Sequence, residues 1–417
     1  MNEFLATFKR RLLVFFLVIG PGIITAVANN DASGVATYTV AASLYGMASR
    51  FLILPEAFLL VLTQEIGARI AIVSRKGLGD LIRERFGVKL SIFVFFLYFI
   101  VNQGVVLQNI SGLKASFQIF ELPWQLMLLL TSLFLIFAVV RFDYKRLQRI
   151  FLTMIFFYIS YVLVAIITKP DWTAALYSTL IWPQNIKLDL TYWFSRIAVL
   201  GTTITAWGQF FIHSYVADKK LGEEHLKYQK AEIILGTIIT TFFSFMMAIA
   251  VSQTLFKSGI EVRDGYTAAL ALRPLVGEFS QGLFAVGLFG ASLLGLTIVP
   301  LATAYVFAEL FGYEGSLDTD YKKGRLFYLF FSTQILIALL IALFPQIHLF
   351  QITLYINFLN GAILPLIFYF LIKFSEDNEI MGKHVSRGFN SIFLRIASVV
   401  VIIAVIVSAI GQIFKIT

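Results

Sequence analysis

The chain has 417 residues, of which 59% are hydrophobic and only 14% are charged, and its mean hydropathy is +0.85. Soluble domains carry about 25% charged residues, so the composition excludes a soluble globular protein and indicates a polytopic membrane protein. The absence of cysteine excludes disulfides and thiolate metal sites. The net charge of +9 raises the possibility of nucleic-acid binding, but the basic residues lie between apolar segments.

Eleven apolar segments are long enough to cross a bilayer. They predict an all-α membrane protein, a single polytopic domain over residues 1–417, in contact with lipid on its outer face. The predicted spans are 12–45, 51–73, 90–111, 125–140, 150–168, 195–216, 231–256, 277–309, 326–345, 347–373 and 392–414.

The basic residues define an orientation in the membrane. If the N-terminus is cytoplasmic, every inner connecting segment is basic, from Lys9-Arg10-Arg11 before the first span to Lys373, Lys383, Arg387 and Arg395 around the loop before the eleventh. We therefore predict a cytoplasmic N-terminus and an external C-terminus. The net charge then reflects topology, and no nucleic-acid partner is expected. No targeting segment is evident, which fits a bacterial or archaeal plasma membrane.

The first span is interrupted by polar residues. Asn29, Asn30 and Asp31 stand in a row at its centre, followed by Ser33 and Gly34. These residue types favour a break in a helix, and an acid at bilayer depth indicates a functional site. An unwound segment is tolerated there only if it is buried in protein or lines a cavity. The alternative is a polar kink held by hydrogen bonds between helices.

The sixth span carries a second interruption, with two glycines and three threonines between Gly201 and Gly208. Close helix packing would alone explain these small residues. However, the first and sixth spans correspond if 12–168 and 195–373 are two inverted five-helix repeats and 392–414 is an extra helix. Paired interruptions of this kind are typical of transporter binding sites. The sequence therefore predicts a LeuT-type fold with broken helices 1 and 6.

Several motifs resemble a known family. The segments 20–22 (GPG), 31–34 (DASG), 201–206 (GTTITA) and 360–365 (NGAILP) follow in the order of the NRAMP metal transporters. The DASG and GTTITA segments are most similar to the NRAMP-related magnesium transporter branch. The resemblance implies the LeuT-type fold and the transport of divalent metal cations by alternating access.

The resemblance also implies a metal site. Asp31 matches the metal-binding carboxylate, Gly34 stands where NRAMPs have an asparagine ligand, and Thr205 stands where they have a methionine. Asn357 falls at the position of a tenth-span glutamine near the ion. Ala28 and Thr202 match positions where backbone carbonyls face the metal. The complete predicted metal site is Asp31, Asn30, Ala28, Gly34, Thr202, Thr205, Gln209 and Asn357.

The residue types at the breaks favour hard cations. Neither break contains a methionine, and carboxylate, amide and hydroxyl oxygens suit Mg²⁺ and Mn²⁺. The third span has Asn102, Gln108 and Asn109 but no acid, so proton coupling is not expected. His213 would serve as either a structural residue or a proton relay. No cofactor is expected beyond the transported cation.

Two other classes of function remain open at this point. A transporter of the same fold would carry an amino acid or another small organic solute with Na⁺ or H⁺. An intramembrane enzyme is not expected, because the chain has no HExxH or GxSxG motif and no cysteine nucleophile. In the second span, Glu65 and Arg69 are spaced for an ion pair, and Glu56 is predicted to lie near the outer surface.

Overall fold

A computed structural model describes residues 20–182, 189–260, 262, 268, 277–313, 315–317, 319, 321–344 and 353–414. Within these ranges the secondary structure is helical, without strands. The α-helices, in chain order, are α1 Pro21–Ala28, α2 Ala32–Tyr45, α3 Ile53–Ser74, α4 Leu78–Ile119, α5 Trp124–Arg141, α6 Tyr144–Met154, α7 Ile159–Ile167, α8 Trp172–Leu180, α9 Leu190–Thr203, α10 Ala206–Asp218, α11 Leu226–Val251, α12 Glu278–Phe311, α13 Arg325–Ala342, α14 Thr353–Ser375, α15 Asn378–Met381 and α16 Phe389–Phe414.

The observed helices confirm the predicted fold class. In the described ranges, nine helical segments are long and apolar enough to cross a membrane, with α6 and α7 counted as one segment, Tyr144–Ile167. The pairs α1/α2 and α9/α10 supply the broken first and sixth spans. Positions 12–19 of the first predicted span and 347–352 of the tenth lie outside the described residues. The division into two inverted repeats stays a prediction.

Helix α4 contains the third span and a short helix that precedes it. Helix α4 begins at Leu78, although the apolar span was predicted from residue 90. Inside it, Gly87 has φ 79° and ψ 175°, which separates a short first helix from the long membrane-spanning part. Such a conformation is strained for residues with a Cβ, so the glycine sets the position of the kink.

The helices pack so that both breaks lie in the protein interior. Helix α4 runs along α12, α9 packs against α14 and α16, and α1 packs against α11. Large apolar side chains on α5 and α16, such as Phe134, Phe137, Val400 and Ile403, are exposed on the outside, as a lipid environment requires. The residues of both breaks, in contrast, are almost completely buried.

Candidate metal site

The first break places a carboxylate at the start of a helix. Helix α1 ends at Ala28, and Asp31 is the N-cap of α2. Its Oδ1 accepts the backbone N–H of Gly34 at 2.9 Å, and its own N–H donates to the Ala28 carbonyl at 3.0 Å. An N-cap carboxylate satisfies a free N–H of the first turn and lies at the positive end of the helix. Asp31 is only 2% exposed.

The second break has the same local design with an uncharged cap. Helix α9 ends at Thr203, and Thr205 is the N-cap of α10, where its Oγ1 accepts the Gly208 N–H at 3.0 Å. The Ala206 N–H donates to Asn360 Oδ1 of α14 at 2.8 Å. One of the threonines that predicted an interruption, Thr205, therefore starts the second half of the span by capping, without a proline.

Asn29 joins the two breaks directly. Its Oδ1 accepts the Thr205 hydroxyl at 2.9 Å, and its Nδ2 donates to the Thr203 carbonyl at 3.0 Å. Asn29 was not among the predicted site residues. The run of polar residues in the first span was its only signal, because the contact joins positions 174 and 176 residues apart in the sequence.

A second missed residue, Asn109 of α4, holds the aspartate. Its Nδ2 donates to Asp31 Oδ2 at 2.7 Å, while its Oδ1 accepts the Ala32 N–H at 2.9 Å. One amide thus fixes both the carboxylate and the backbone of the first break. The sequence showed Asn109 only as part of a third span without acids.

The tenth span places Asn357 beside the first break. Its Nδ2 lies 2.9 Å from Ser33 Oγ and 2.8 Å from Thr37 Oγ1. Its Oδ1 is buried and has no hydrogen-bond partner among the described residues. Ser33 also donates to Gln108 Oε1. The polar cluster beside Asp31 therefore includes amides from α4 and α14.

Gly34 and Thr202 mark the point where the two broken helices touch. A Cβ added to Gly34 would lie 2.5 Å from the Asn29 carbonyl oxygen and 3.2 Å from Thr202 Oγ1. No side chain fits there without displacing the backbone of the first break. The glycine thus allows close contact between the broken helices and offers no side-chain ligand.

Three predicted residues are placed less directly. Asn30 Nδ2 donates to the Thr240 carbonyl of α11 at 2.9 Å, so the amide nitrogen bonds to a neighbouring helix rather than to either break. The buried Oδ1 of Asn30 has no hydrogen-bond partner in the described part of the chain. Gln209 is fully buried, and neither of its amide atoms has such a partner. The Ala28 carbonyl is already engaged by the Asp31 N–H.

Apart from the Asp31 carboxylate, the predicted metal-site residues offer only uncharged oxygen donors. In the described ranges, no three histidine, cysteine or acidic side chains are grouped as a metal site would require. His213 is buried in α10, with Nδ1 2.8 Å from the Gln209 carbonyl oxygen, and a Cβ at Gly67 would lie 2.6 Å from its Cε1. This histidine is therefore tightly packed between α10 and α3.

The fold resembles transporters of known structure. A manganese transporter from Eremococcus coleocola, solved as a mutant, superposes over 96% of this chain and 88% of its own, with a TM-score of 0.74 and 15% identity. MhsT in complex with L-phenylalanine superposes over 93% of this chain and 98% of its own, with a TM-score of 0.60 and 14% identity. Together with the paired breaks, these likenesses establish a LeuT-type fold.

The family follows from the sequence. The family model described as natural resistance-associated macrophage protein-like matches residues 22–411, and the chain belongs to this Nramp family. Two relatives named divalent metal cation transporter MntH, from Caldanaerobacter subterraneus and Bacillus subtilis, are each 24% identical, over 283 and 286 residues. These alignments cover 65% and 66% of this chain and span 66% of the length of each relative.

Proposed function

We propose that the protein carries divalent metal cations across the membrane by alternating access, with Asp31 as the central ligand. The observation that supports this most strongly is one buried carboxylate at the first break, which Asn29 joins to the second break through the Thr205 hydroxyl and the Thr203 carbonyl. A buried carboxylate in a membrane is costly without a partner, and a transported cation supplies one in each cycle.

The proposed substrates are Mg²⁺ and Mn²⁺. Oxygen donors suit these ions, whereas a sulfur ligand would favour softer metals. A single carboxylate leaves a divalent ion with excess charge, which favours an ion that keeps some of its water, as Mg²⁺ does. The names of the relatives, divalent metal cation transporters and a manganese transporter, point to the same substrate class.

We further propose that transport is not coupled to protons. The described part of the third span presents amides rather than acids toward the site, and His213 uses Nδ1 in a bond to its own helix. The driving force would be the membrane potential, which contributes about 2.3 kcal/mol per charge per 100 mV and so twice that for a divalent ion. The proposed location is a bacterial plasma membrane, and the proposed orientation has a cytoplasmic N-terminus. We propose no enzymatic activity.

The test is uptake into proteoliposomes that contain a pH-sensitive dye, for wild type and Asp31→Asn. Asparagine can still cap α2 through its side-chain oxygen, so the variant removes the charge and keeps the helix start. We expect saturable Mn²⁺ and Mg²⁺ uptake by the wild type without a change in internal pH. Uptake by Asp31→Asn should be at least about tenfold slower, which corresponds to about 1.4 kcal/mol.

Asp143→Asn is the matched control. Asp143 also caps a helix, since its Oδ1 accepts the Arg146 N–H at 2.8 Å, but it is exposed and precedes α6, which contributes no residue to the breaks. This variant should transport like wild type. Amino-acid uptake in place of metal uptake would overturn the substrate proposal, and metal-dependent acidification would overturn the uncoupled mechanism.

A further inference from the structure

Three charged side chains form a buried cluster at the opposite end of α2 from Asp31. Arg50 follows α2 in a short 3₁₀ helix, Glu56 lies in the first turn of α3, and Arg196 lies in the second turn of α9. They are 1%, 5% and 5% exposed, so all three are buried inside the protein. We call these three residues the arginine cluster. Under the proposed orientation it lies on the outer side of Asp31.

The cluster contains one close ion pair. Arg196 donates to Glu56 Oε1 and to the Ser49 carbonyl. Arg50 instead donates to Ser244 Oγ of α11 at 3.0 Å, and its guanidinium carbon lies 4.9 Å from the centre of the Tyr38 ring. Glu56 is thus paired with Arg196, and Arg50 has no carboxylate in direct contact among the described residues.

The charges and hydrogen bonds of the cluster do not balance. Two guanidinium groups and one carboxylate leave one positive charge in excess. Arg50 Nε and Nη1, together with Arg196 Nε, are buried and have no hydrogen-bond partner in the described ranges. Burying an ion without a counter-charge is strongly unfavourable, and each unmade hydrogen bond adds to that cost. A bridging water could accept these hydrogens, and Glu56 Oε2 is also unpartnered, but water does not remove the excess charge.

The imbalance grows when a cation arrives. The Tyr38 hydroxyl, which belongs to the ring beneath Arg50, shares a hydrogen bond of 3.1 Å with Thr203 Oγ1 at the second break. The cluster and the metal site are therefore separated by a single tyrosine. A divalent cation beside Asp31 would add positive charge in this poorly screened region, where charges interact more strongly than in water.

We propose that the arginine cluster binds a small monovalent anion, such as chloride, through the free N–H groups of Arg50 and Arg196. The anion neutralises the excess charge and accepts the unmade hydrogen bonds. Beside Arg196 and Glu56 lies an otherwise apolar groove between α3, α9 and α16. In a bilayer an anionic lipid headgroup is a second source of the same charge, so the experiment separates the two.

The experiment measures the unfolding temperature of the purified protein in nanodiscs of phosphatidylcholine, which is neutral. Sodium chloride replaces sodium gluconate at constant ionic strength, and no transported metal is added. Because a ligand that binds only the folded state stabilises it according to its concentration, we expect the unfolding temperature of the wild type to rise with chloride and then saturate. Bromide should act like chloride.

Arg50→Gln distinguishes an anion ligand from a structural arginine. This variant should lose the chloride dependence and, in gluconate, should be at least as stable as the wild type because the uncompensated charge is gone. The matched control is Arg395→Gln, since Arg395 pairs with Glu376 on the exposed surface; it should keep the chloride dependence of the wild type.

Three results would overturn the proposal. The first is an unchanged unfolding temperature of the wild type in chloride and gluconate, which needs no variant to fold. The second is a loss of stability in Arg50→Gln that is equal in both salts. The third is stabilisation only when phosphatidylglycerol is added, which would replace a free anion by a lipid headgroup. None of these measurements depends on metal transport, so either proposal can fail alone.

Discussion

The Asp31 carboxylate is oriented by the protein before a cation binds. The Gly34 N–H holds one oxygen and Asn109 Nδ2 holds the other, at 2.9 and 2.7 Å. Hydrogen bonds to a charged group are stronger than those between neutral groups. A cation that binds Asp31 must therefore share or displace these donors. Asn109 should influence cation affinity as well as stability.

We predict that Asn109→Leu lowers both the stability of the protein and its affinity for the cation. The substitution leaves Asp31 Oδ2 and the Ala32 N–H without their partner, which should reduce the free energy of unfolding by about 1–3 kcal/mol. The carboxylate is then held by the Gly34 N–H alone, so its orientation is less fixed and the affinity for Mn²⁺ should fall. Thermal unfolding and Mn²⁺ titration measure the two effects.

Asn102→Leu is the control on the same helix. Asn102 is fully buried and donates to Thr303 Oγ1 at 2.9 Å, away from Asp31. This variant should lose stability but keep its Mn²⁺ affinity. If both variants bind Mn²⁺ like the wild type, Asn109 has no role in positioning the carboxylate.

At the scale of helices, each broken span depends on close contacts with its neighbours. The first turn of α1 donates to the Glu232 carboxylate of α11 from the Gly20 and Ile23 N–H groups, which suits the positive end of a helix. Helix α9 packs against α14 so closely that a Cβ at Gly201 would overlap the Asn357 carbonyl oxygen. Gly201 therefore sets the distance between the second break and the tenth span.

We predict that Gly201→Ala is destabilising. The added Cβ would collide with backbone atoms of α14, so α9 and α14 must move apart, and overpacking typically costs about 1–3 kcal/mol. Asn357 would shift with its helix, so cation uptake should fall as well. The control is Gly282→Ala in α12, where nothing lies within 4 Å of the added carbon. Equal stability of the two variants would contradict the close packing.

The sequence predicted the breaks because their signal is local. Asn, Asp and Gly within an apolar run mark the first break, and threonines with glycines mark the second. The ion pair of Glu65 and Arg69, at 3.0 Å, is also confirmed because it depends only on helical spacing. Asn357 was found through the resemblance and contacts Ser33 and Thr37 of the first broken span.

The contacts that the sequence did not predict are all long-range. Asn29, Asn109 and the arginine cluster depend on neighbours far away in the chain. Amide and arginine side chains form many kinds of contact in membrane proteins. Their residue types alone therefore did not identify the partners seen in the structure. The same limit applies to the predicted ligand Asn30. The local polar run did not reveal that its amide nitrogen donates to α11.

For the whole molecule, the orientation in the membrane is a direct prediction. The chain has no cysteine, so single-cysteine variants need no background correction. Thr173→Cys, on exposed α8, should react with an impermeant maleimide on intact cells, whereas Lys322→Cys, which is also exposed, should react only after permeabilisation. The opposite labelling pattern would contradict the cytoplasmic N-terminus.

The central claim is that Asp31 binds a divalent cation where the two broken helices meet. Electron paramagnetic resonance of Mn²⁺ tests it most directly, because bound and free Mn²⁺ give different spectra. We predict about one Mn²⁺ per wild-type chain, displaced by excess Mg²⁺, retained in Asp143→Asn and lost in Asp31→Asn. Equal Mn²⁺ binding by the wild type and Asp31→Asn would contradict the account.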